Sequence, residues 1–496
     1  MSRIQLGRRK LAQLCALTAT ALSGQAHADT AGAPAVAQAI APAWAVPLDS
    51  APVYGHTDRH SVVQGEPIDL MLALQPHHAP VRASVRLSRI GDYPWGRKLV
   101  WTSPPLTLSH RPVPRSVAAS GTGWAPVVSA DTAGWPPGVY TADVAIEGAT
   151  DPCYNVVQAL VRPPKPRGDV LVKLSTNTWQ AYNAWGGHSL YPTEDEALRG
   201  ILVSFDRPGP ASFLEYEVHL VTWLESLAAR AGFSVDYAAN FDVHAEPDLL
   251  DAYRLVVCGS HDEYWSMEEF DAFERRILQR GGNTIFTGAN TGYWQVRYAD
   301  IDRALGTPDR GRQLVCHKSR NDPIGRRGGP ADPLLLVTAM FRDAGRRPES
   351  MLMGAAYQNW FQPQPDGGPR VPYRVARTDL PFFRDTGLSV GDVVADVVGY
   401  EWDNRDPDND GRRLFRPNIS RIAELPPDSV QVLFTGTPVG HDGAPGLAEA
   451  VYFRSPAGAK VFNAGSVRWA WGLSRPGFAT EAFQRFNANL FADFLT

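Results

Sequence analysis

The chain contains 496 residues, which at roughly 150 residues per domain predicts several folded units rather than one small domain. Its 48 basic and 52 acidic residues give a net charge of −4, which argues against a nucleic-acid-binding protein that works through bulk positive charge. The 44 glycines and 41 prolines predict many loops and much β-structure.

The first 28 residues have the pattern of an export signal. A positively charged stretch up to Lys10 precedes an apolar run from Leu11 to Leu22, and a small-residue cleavage site ends at Ala28. The apolar run is too short to cross a bilayer, and no other run of 18 apolar residues occurs, so we predict no membrane span. Residues 1–28 are therefore predicted to be a signal peptide of a periplasmic or secreted protein, with the Sec and twin-arginine routes both open.

Two regions are predicted ahead of residue 166. Residues 29–50 are rich in Ala and Pro, which predicts a flexible lead-in. From Ser61 to Leu160, short alternating stretches are separated by Gly, Pro, His and Asp. Such spacing predicts an antiparallel β-sandwich domain of immunoglobulin or fibronectin type at residues 51–165. The Pro-rich run at 161–168 is predicted to mark the boundary at the end of this domain.

The second region, residues 166–496, alternates between strand and helix patterns. Strand, helix, strand, helix, strand describes an α/β domain with a doubly wound, mainly parallel sheet. Residues 300–425 have weak periodicity and are predicted to be a long insertion. The predicted elements are strands at 169–174, 254–258, 283–287, 430–434, 450–454 and 460–463, and helices at 217–229, 267–280 and 480–495.

Polar and aromatic loops follow four of these strands, at 175–191, 259–265, 288–294 and 465–469. In open α/β sheets, ligands bind outside the carboxyl ends of the strands, so we expect these loops to face one cleft. Each residue also has a plain structural interpretation, because loop aromatics often cover a core and Asp262 or Glu263 could cap the following helix. Their coincidence at four strand ends favours a shared site.

Several motifs occur in one order along this region: 176–183, 185–187, 189–191, 204–208, 261–265, 289–294 and 399–403. They resemble the large (beta) subunit of N,N-dimethylformamidase in its C-terminal domain, over residues 165–496. The resemblance implies a core similar to class I glutamine amidotransferases, which agrees with the predicted sheet. An amidotransferase needs a nucleophilic Cys on a turn after a strand, whereas the turn at 287–290 has none, so we expect no thiol chemistry.

The resemblance further implies a mononuclear Fe³⁺, held by two tyrosine phenolates and a glutamate, in an enzyme that hydrolyses a small amide. Tyr182 matches the first tyrosine, and Glu263 matches the glutamate. The second tyrosine is expected at Tyr140, with Tyr191 and Tyr264 as the next candidates. Because Tyr140 alternates with apolar residues on one strand face, a core position is equally open for it.

His261 and Glu401 match the catalytic residues of that family. Glu401 is expected to take a proton from water and pass it to the leaving amine, while His261 hydrogen-bonds the intermediate. Asn290, Trp185 and Trp265 are expected to bind substrate. Phenolate and carboxylate are hard oxygen donors that suit Fe³⁺, and three protein ligands leave room for water and an amide oxygen.

An exported enzyme meets different substrates, so an unidentified small-molecule amide is expected rather than dimethylformamide. The resemblance also implies a small partner subunit, and a homo-oligomer is the alternative. A different class of function stays open: a non-catalytic exported protein whose aromatic loops bind a glycan or another ligand. Stoichiometric iron would separate the two, because a binding protein does not need it.

Overall fold

The computed structural model describes residues 52–191, 199–209, 212–299, 311–319, 322–323, 337–344, 347–363, 368–405 and 429–496. The predicted signal peptide, the predicted lead-in and a large part of the predicted insertion at 300–425 lie outside these residues. Among the helices that are described, none is long and apolar enough to span a membrane.

Two sheets that share one apolar core are formed by residues 53–162. The elements are β1 (Val53–Thr57), β2 (Val62–Val63), β3 (Pro67–Leu74), β4 (Val81–Ile90), a 3₁₀ turn (Pro94–Gly96), β5 (Arg97–Thr102), β6 (Leu106–Leu108), α1 (Val117–Ser120), β7 (Val128–Asp131), β8 (Gly138–Ile146) and β9 (Cys153–Arg162). The first sheet has the strand order β1-β3-β7, and the second has the order β2-β9-β8-β4-β5, with β6 also paired to β4. Leu70 and Leu72 of the first sheet belong to the same apolar cluster as Val85 and Leu87 of the second.

The alternation that predicted these strands is visible in their burial, since Ala83, Val85 and Leu87 are buried while Ser84 and Arg86 are only partly covered. Each fully buried aliphatic side chain contributes roughly 1.5–3 kcal/mol to folding. The immunoglobulin or fibronectin type and the domain boundaries stay predictions.

The remaining strands are β10 (Val170–Leu174), β11 (Leu202–Ser204), β12 (Val235–Ala239), β13 (Leu255–Cys258), β14 (Tyr264–Ser266), β15 (Asn283–Phe286), β16 (Trp294–Tyr298), β17 (Gln313–Val315), β18 (Ala356–Trp360), β19 (Tyr373–Val375), β20 (Val393–Ala395), β21 (Glu401–Asn404), β22 (Gln431–Gly436), β23 (Ala448–Arg454) and β24 (Lys460–Asn463). The helices are α2 (Thr176–Tyr182), α3 (Ser212–Glu215), α4 (Glu217–Ala231), α5 (Asn240–Ala245), a 3₁₀ turn (Pro247–Ala252), α6 (Met267–Glu274) continued by a π-turn (Arg275–Gln279), α7 (Phe341–Ala344), α8 (Ser350–Met353), a 3₁₀ turn (Pro381–Phe383), α9 (Trp471–Ser474) and α10 (Glu481–Phe494).

A nine-stranded sheet organises this part of the chain, in the order β12-β10-β13-β15-β24-β23-β22-β19-β20. Neighbouring strands are parallel from β12 to β24 and antiparallel from β24 to β20. The predicted mixed α/β fold is confirmed, but the sheet is parallel in only half of its pairings rather than mainly parallel. The glutamine-amidotransferase-like arrangement of the helices stays a prediction.

Helices cover both faces of the parallel half. Val172 belongs to the same apolar cluster as Leu224 of α4, while Leu171 belongs to a different cluster together with Phe270 of α6. Adjacent strand residues thus enter different cores, as the two-residue period of a strand requires.

The start of α6 determines which residues stay in the loop after β13. Ser266 is the N-cap of this helix, because its Oγ accepts a hydrogen bond from the Glu269 backbone N–H at 3.2 Å. The capping interpretation of Asp262 and Glu263 was therefore wrong. The preceding residues, 259–263, remain outside the helix at the carboxyl end of the sheet.

Candidate active site

A cavity of about 660 Å³ opens at the carboxyl ends of β10, β13 and β15. Three loops predicted to meet there contribute Tyr182, His261, Glu263 and Asn290 to its lining. The two-stranded sheet of β18 and β21 closes another side and brings Glu401. The predicted convergence of these three loops is therefore observed in the geometry.

The fourth predicted loop supports the cavity without lining it. Ser466 pairs with Trp402 in a β-bridge, and the Asp403 N–H donates to the Gly465 carbonyl at 3.1 Å. The loop after β24 thus holds β21 in place beside the sheet.

Two tyrosines converge on one carboxylate in this cavity. The Tyr182 hydroxyl donates to Glu263 Oε2 at 2.9 Å, and the Tyr191 hydroxyl donates to Glu263 Oε1 at 2.7 Å. The two rings lie 4.3 Å apart between centroids, and Glu263 is buried. Three oxygen-bearing side chains therefore meet at one point.

Burial controls the protonation of this group. It raises the pKa of the Tyr182 and Tyr191 phenols far above their ordinary value, and the Glu263 carboxylate adds to both shifts. Burial, and then the nearby Glu401 carboxylate, raises the pKa of Glu263. Without a cation the two phenols keep their protons, whereas a bound metal ion would replace those protons.

His261, Glu401 and Asn290 form a second group next to the first. His261 Nε2 lies 3.1 Å from Glu401 Oε2, off the hydrogen-bond direction, so the contact is an ion pair rather than an aligned hydrogen bond. The Asn290 amide donates to the same Glu401 oxygen at 2.9 Å. Burial alone would lower the pKa of His261, but Glu401 and then Glu263 raise it to about 9.

Asn290 is held in an uncommon backbone conformation. Its φ is 54°, in the left-handed region that asparagine tolerates better than most residues. Its N–H donates to Asp403 Oδ1 at 2.8 Å, and Asp403 Oδ2 accepts from the Asn463 amide at 3.1 Å. The loop after β15 is thereby fastened to the strand that carries Glu401.

The donor set fits a hard metal ion better than a zinc-type ion. Within the described ranges, no group of three or more His, Cys, Asp or Glu side chains is placed to hold a metal. Tyr182, Tyr191 and Glu263 instead offer two phenol oxygens and a carboxylate, all hard oxygen donors of the kind that suits Fe³⁺.

The structure corrects the expectation for Tyr140. This residue lies in the apolar core shared by the two N-terminal sheets, where its ring stacks on Trp135 and its hydroxyl donates to the Pro136 carbonyl at 2.5 Å. The strand alternation that placed it beside Ala142 turned it inward. Tyr191, the next candidate, is the tyrosine that lies beside Tyr182.

The two tryptophans expected to bind substrate also lie elsewhere. Trp265 is fully buried and stacks on Phe273 at 4.6 Å, because its large apolar surface is best covered inside the core. Trp185 packs edge-on against Tyr54 of β1 at 5.6 Å. The tryptophans that do line the cavity are Trp179, Trp294 and Trp360.

Sequence reasoning missed several aromatic wall residues. Tyr400 belongs to the motif at 399–403 and directly precedes Glu401, so its position in the sequence could have identified it as a cavity residue. Tyr216, Tyr357 and Trp360 carry no such signal, because tertiary packing of α3, α4 and β18 brings them to the cavity.

A buried ion network lies beneath the loop that carries His261 and Glu263. Lys173 Nζ pairs with both Asp262 and Glu269, and the Asn240 amide donates to the same two carboxylates at 3.1 and 2.8 Å. These four side chains are completely buried. Burial raises the pKa of Glu269 to about 7, while the two carboxylates outweigh burial and raise the pKa of Lys173.

We expect Lys173→Met to lower the free energy of unfolding by about 3–5 kcal/mol, because it leaves buried carboxylates without their cation. Urea unfolding monitored by circular dichroism measures the loss. The control is Arg82→Met in the exposed Arg82–Glu147 pair, for which we expect about 1 kcal/mol or less. Equal small losses in both variants would contradict a supporting role for the network.

The family described as "N,N-dimethylformamidase beta subunit-like, C-terminal" matches residues 84–484. The N,N-dimethylformamidase beta subunit of Paracoccus aminophilus is 26% identical over 297 residues, which are 57% of this chain and 37% of the relative. The beta subunit from Alcaligenes sp is 28% identical over 278 residues, which are 53% of this chain and 34% of that protein.

The match thus spans little more than a third of the length of these curated relatives. Among solved structures, a Paenibacillus sp. cycloisomaltooligosaccharide glucanotransferase aligns with a TM-score of 0.16 at 9% identity, over 51% of this chain and 29% of its own. Because the family match covers most of the sequence, from residue 84 to residue 484, the chain belongs to the N,N-dimethylformamidase beta subunit-like family.

Proposed function

We propose that this protein is an exported mononuclear-iron amidohydrolase that cleaves a small-molecule amide. One observation carries the proposal: Tyr182 and Tyr191 converge on Glu263 beside the His261–Glu401 pair, at the wall of a cavity of about 660 Å³. The relatives named as dimethylformamidase subunits support amide hydrolysis as the reaction class. The pattern of residues 1–28 supports export to the periplasm or beyond.

Tyr182, Tyr191 and Glu263 would hold the iron as two phenolates and a carboxylate. When bound, Fe³⁺ supplies Lewis-acid polarisation of the amide carbonyl and lowers the pKa of a neighbouring water.

The protein's own groups then move the protons. Glu401 takes a proton from the attacking water as the water oxygen bonds to the carbonyl carbon. The same carboxyl group gives that proton to the amide nitrogen as the C–N bond breaks, which releases an acid and an amine. His261, within 3.1 Å of Glu401, orients the carboxylate and donates to the oxygen that gains negative charge. Asn290 holds Glu401 from another side.

The cavity wall supports an uncharged substrate with a substantial apolar part. The described residues that line it include no lysine or arginine, although Lys318 Nζ lies 3.4 Å from the ring centroid of the lining residue Tyr191. Glu215 and Glu217 join the carboxylates near the iron ligands. A cavity of this volume accommodates molecules much larger than dimethylformamide. Its aromatic residues are Trp179, Tyr216, Tyr293, Trp294, Tyr357, Trp360 and Tyr400.

We expect an amide with a carboxylate on its far end to be cleaved at least about tenfold less efficiently than its neutral isostere, equivalent to about 1.4 kcal/mol. Repulsion from the Glu215 carboxylate gives the physical reason, since burial raises the pKa of Glu217 to about 7 and leaves that group partly protonated. Steady-state kcat/KM values for the charged amide and its neutral isostere measure the effect. In Glu215→Gln, the difference between these two values should become smaller. Equal efficiency for both substrates would contradict charge selection by this wall.

Metal analysis tests the proposed function directly. Protein made with ample iron and purified without a chelating tag should contain one iron per chain and release amine from uncharged amides. Folded protein that is colourless and iron-free would overturn the proposal and favour the alternative, an exported ligand- or glycan-binding protein.

The relatives are named as beta subunits, which supports a small partner subunit, with a homo-oligomer as the alternative. The molar mass from light scattering, measured for the purified chain alone and after co-expression with a candidate small subunit, distinguishes these assemblies.

A further inference from the structure

The two tyrosines of the site flank one loop. Tyr182 is the last residue of α2, and Tyr191 follows nine residues later. The Leu190 N–H donates to the Ala181 carbonyl at 2.9 Å, which closes the loop directly beside both tyrosines. The separation of the two phenols therefore depends on the conformation of residues 180–191.

A single guanidinium group fills the inside of this loop. Arg207 Nη1 donates to the carbonyls of Trp185 and His188 at 2.7 and 3.1 Å, and Nη2 donates to the Gln180 carbonyl at 3.2 Å. Arg207 Nε donates to the Ser204 carbonyl at 3.0 Å, which ties the loop to β11. Its side chain is completely buried.

Among the described residues, the charge of Arg207 has no carboxylate partner. Its nitrogens donate to four backbone carbonyls, whose dipoles stabilise the charge in the part of the chain that the structure describes. Burying a charge without a partner is costly in general, and an apolar side chain would fill the same space at lower cost. Unlike an apolar side chain, the planar guanidinium has N–H donors in fixed directions, so it holds three loop carbonyls in one relative arrangement.

We propose that Arg207 is a positioning residue that fixes the loop at 180–191 and thereby sets the spacing of the Tyr182 and Tyr191 oxygens for a metal ion. The inference rests on the proposed function for its metal but not for its geometry. Arg207 belongs to the motif at 204–208, which no step of the proposed reaction uses.

A matched control exists at the opposite end of the sheet. Arg276 is also buried, and its hydrogen bonds within the described residues also go to backbone carbonyls. These carbonyls precede β13 or begin β15, at the amino ends of the strands and away from the cavity. They belong to Leu250, Tyr253, Arg254 and Asn283.

The experiment compares Arg207→Lys with Arg276→Lys in the full chain. A lysine keeps the charge but cannot span three carbonyls, so both variants should lose thermal stability to a similar degree. Only Arg207→Lys should shift the phenolate-to-iron charge-transfer band and weaken iron binding, by about 10–100-fold as for other residues that orient metal ligands. An unchanged band and affinity in Arg207→Lys, or equal changes in Arg276→Lys, would overturn the inference.

Hydrogen exchange on metal-free protein separates this inference from the proposed function. In Arg207→Lys, the Leu190 and Gly187 amides should lose protection while the strands of the nine-stranded sheet keep theirs. If the wild-type protein proves iron-free, the proposed function fails. The exchange result still supports or overturns the positioning of the loop at 180–191 by Arg207. If Arg207→Lys does not fold, Asn183→Ala replaces it, because the Asn183 amide also ties the loop to Pro208, with a bond of 2.8 Å. Unchanged hydrogen exchange of the amides in residues 180–191 of the folded variant would contradict the proposal that these contacts fix the loop.

Discussion

Replacing either Tyr182 or Tyr191 with phenylalanine is expected to bleach the protein and abolish stoichiometric iron. Each substitution removes one of three converging oxygens, since both hydroxyls contact the Glu263 carboxylate in the present structure. Loss of a direct donor should cost more than the roughly 10–100-fold in affinity that loss of an outer partner costs. Visible absorption and metal analysis of the purified variants measure both effects.

Tyr140→Phe is the matched control for this prediction. Its hydroxyl donates to the Pro136 carbonyl in the core of the N-terminal sheets, so the substitution removes one hydrogen bond and leaves the cavity untouched. We expect a stability loss of about 1 kcal/mol and full iron content. Bleaching by Tyr140→Phe, or full colour in Tyr191→Phe, would show that the second donor is misassigned.

The parts of the site that sequence predicted share one physical cause. Tyr182, His261 and Asn290 follow adjacent parallel strands, and parallel strands that lie side by side end at the same edge. Local order along the chain was therefore enough to bring these residues together. The same reasoning reached Glu263, which lies between β13 and β14.

Other parts depended on contacts that sequence order does not contain. Tyr191 reaches Tyr182 only because Leu190 bonds back to Ala181 and Arg207 occupies the loop. Tyr140 has the spacing of a core residue, and its alternation was the better guide to its position.

The direction of the strands after residue 430 is another feature that the sequence pattern did not predict. Strands at 430–434, 450–454 and 460–463 were predicted from their apolar runs, and the structure has all three, at 431–436, 448–454 and 460–463. Their apolar pattern does not encode direction, because both orientations bury the same residues. Hydrogen-bond pairing places β22 and β23 antiparallel to their neighbours, and with the β19–β20 pair this makes half of the sheet's pairings antiparallel.

Glu263→Gln and Glu401→Gln are expected to separate metal binding from proton transfer. Glu263 accepts from both tyrosine hydroxyls, so its replacement by a neutral amide removes the charged donor between them. Glu401 contacts His261 and Asn290 instead, and no tyrosine of the donor set bonds to it among the described contacts. Glu263→Gln should therefore lose iron, whereas Glu401→Gln should keep iron and its charge-transfer band.

The loss of turnover in Glu401→Gln should be large, because a glutamine amide cannot accept the proton of the attacking water. General acid–base groups contribute roughly 10²–10⁴-fold to rate, and we expect kcat to fall within that range while iron stays at the wild-type ratio. Asn290→Asp is an informative companion, since it replaces the amide that donates to Glu401 at 2.9 Å with a second carboxylate and should slow turnover without removing iron. If Glu263→Gln and Glu401→Gln lose iron equally, the separate roles given to the two carboxylates are wrong. His261, whose Nε2 lies 3.6 Å from Glu263 and 3.1 Å from Glu401, then becomes the next candidate for proton transfer.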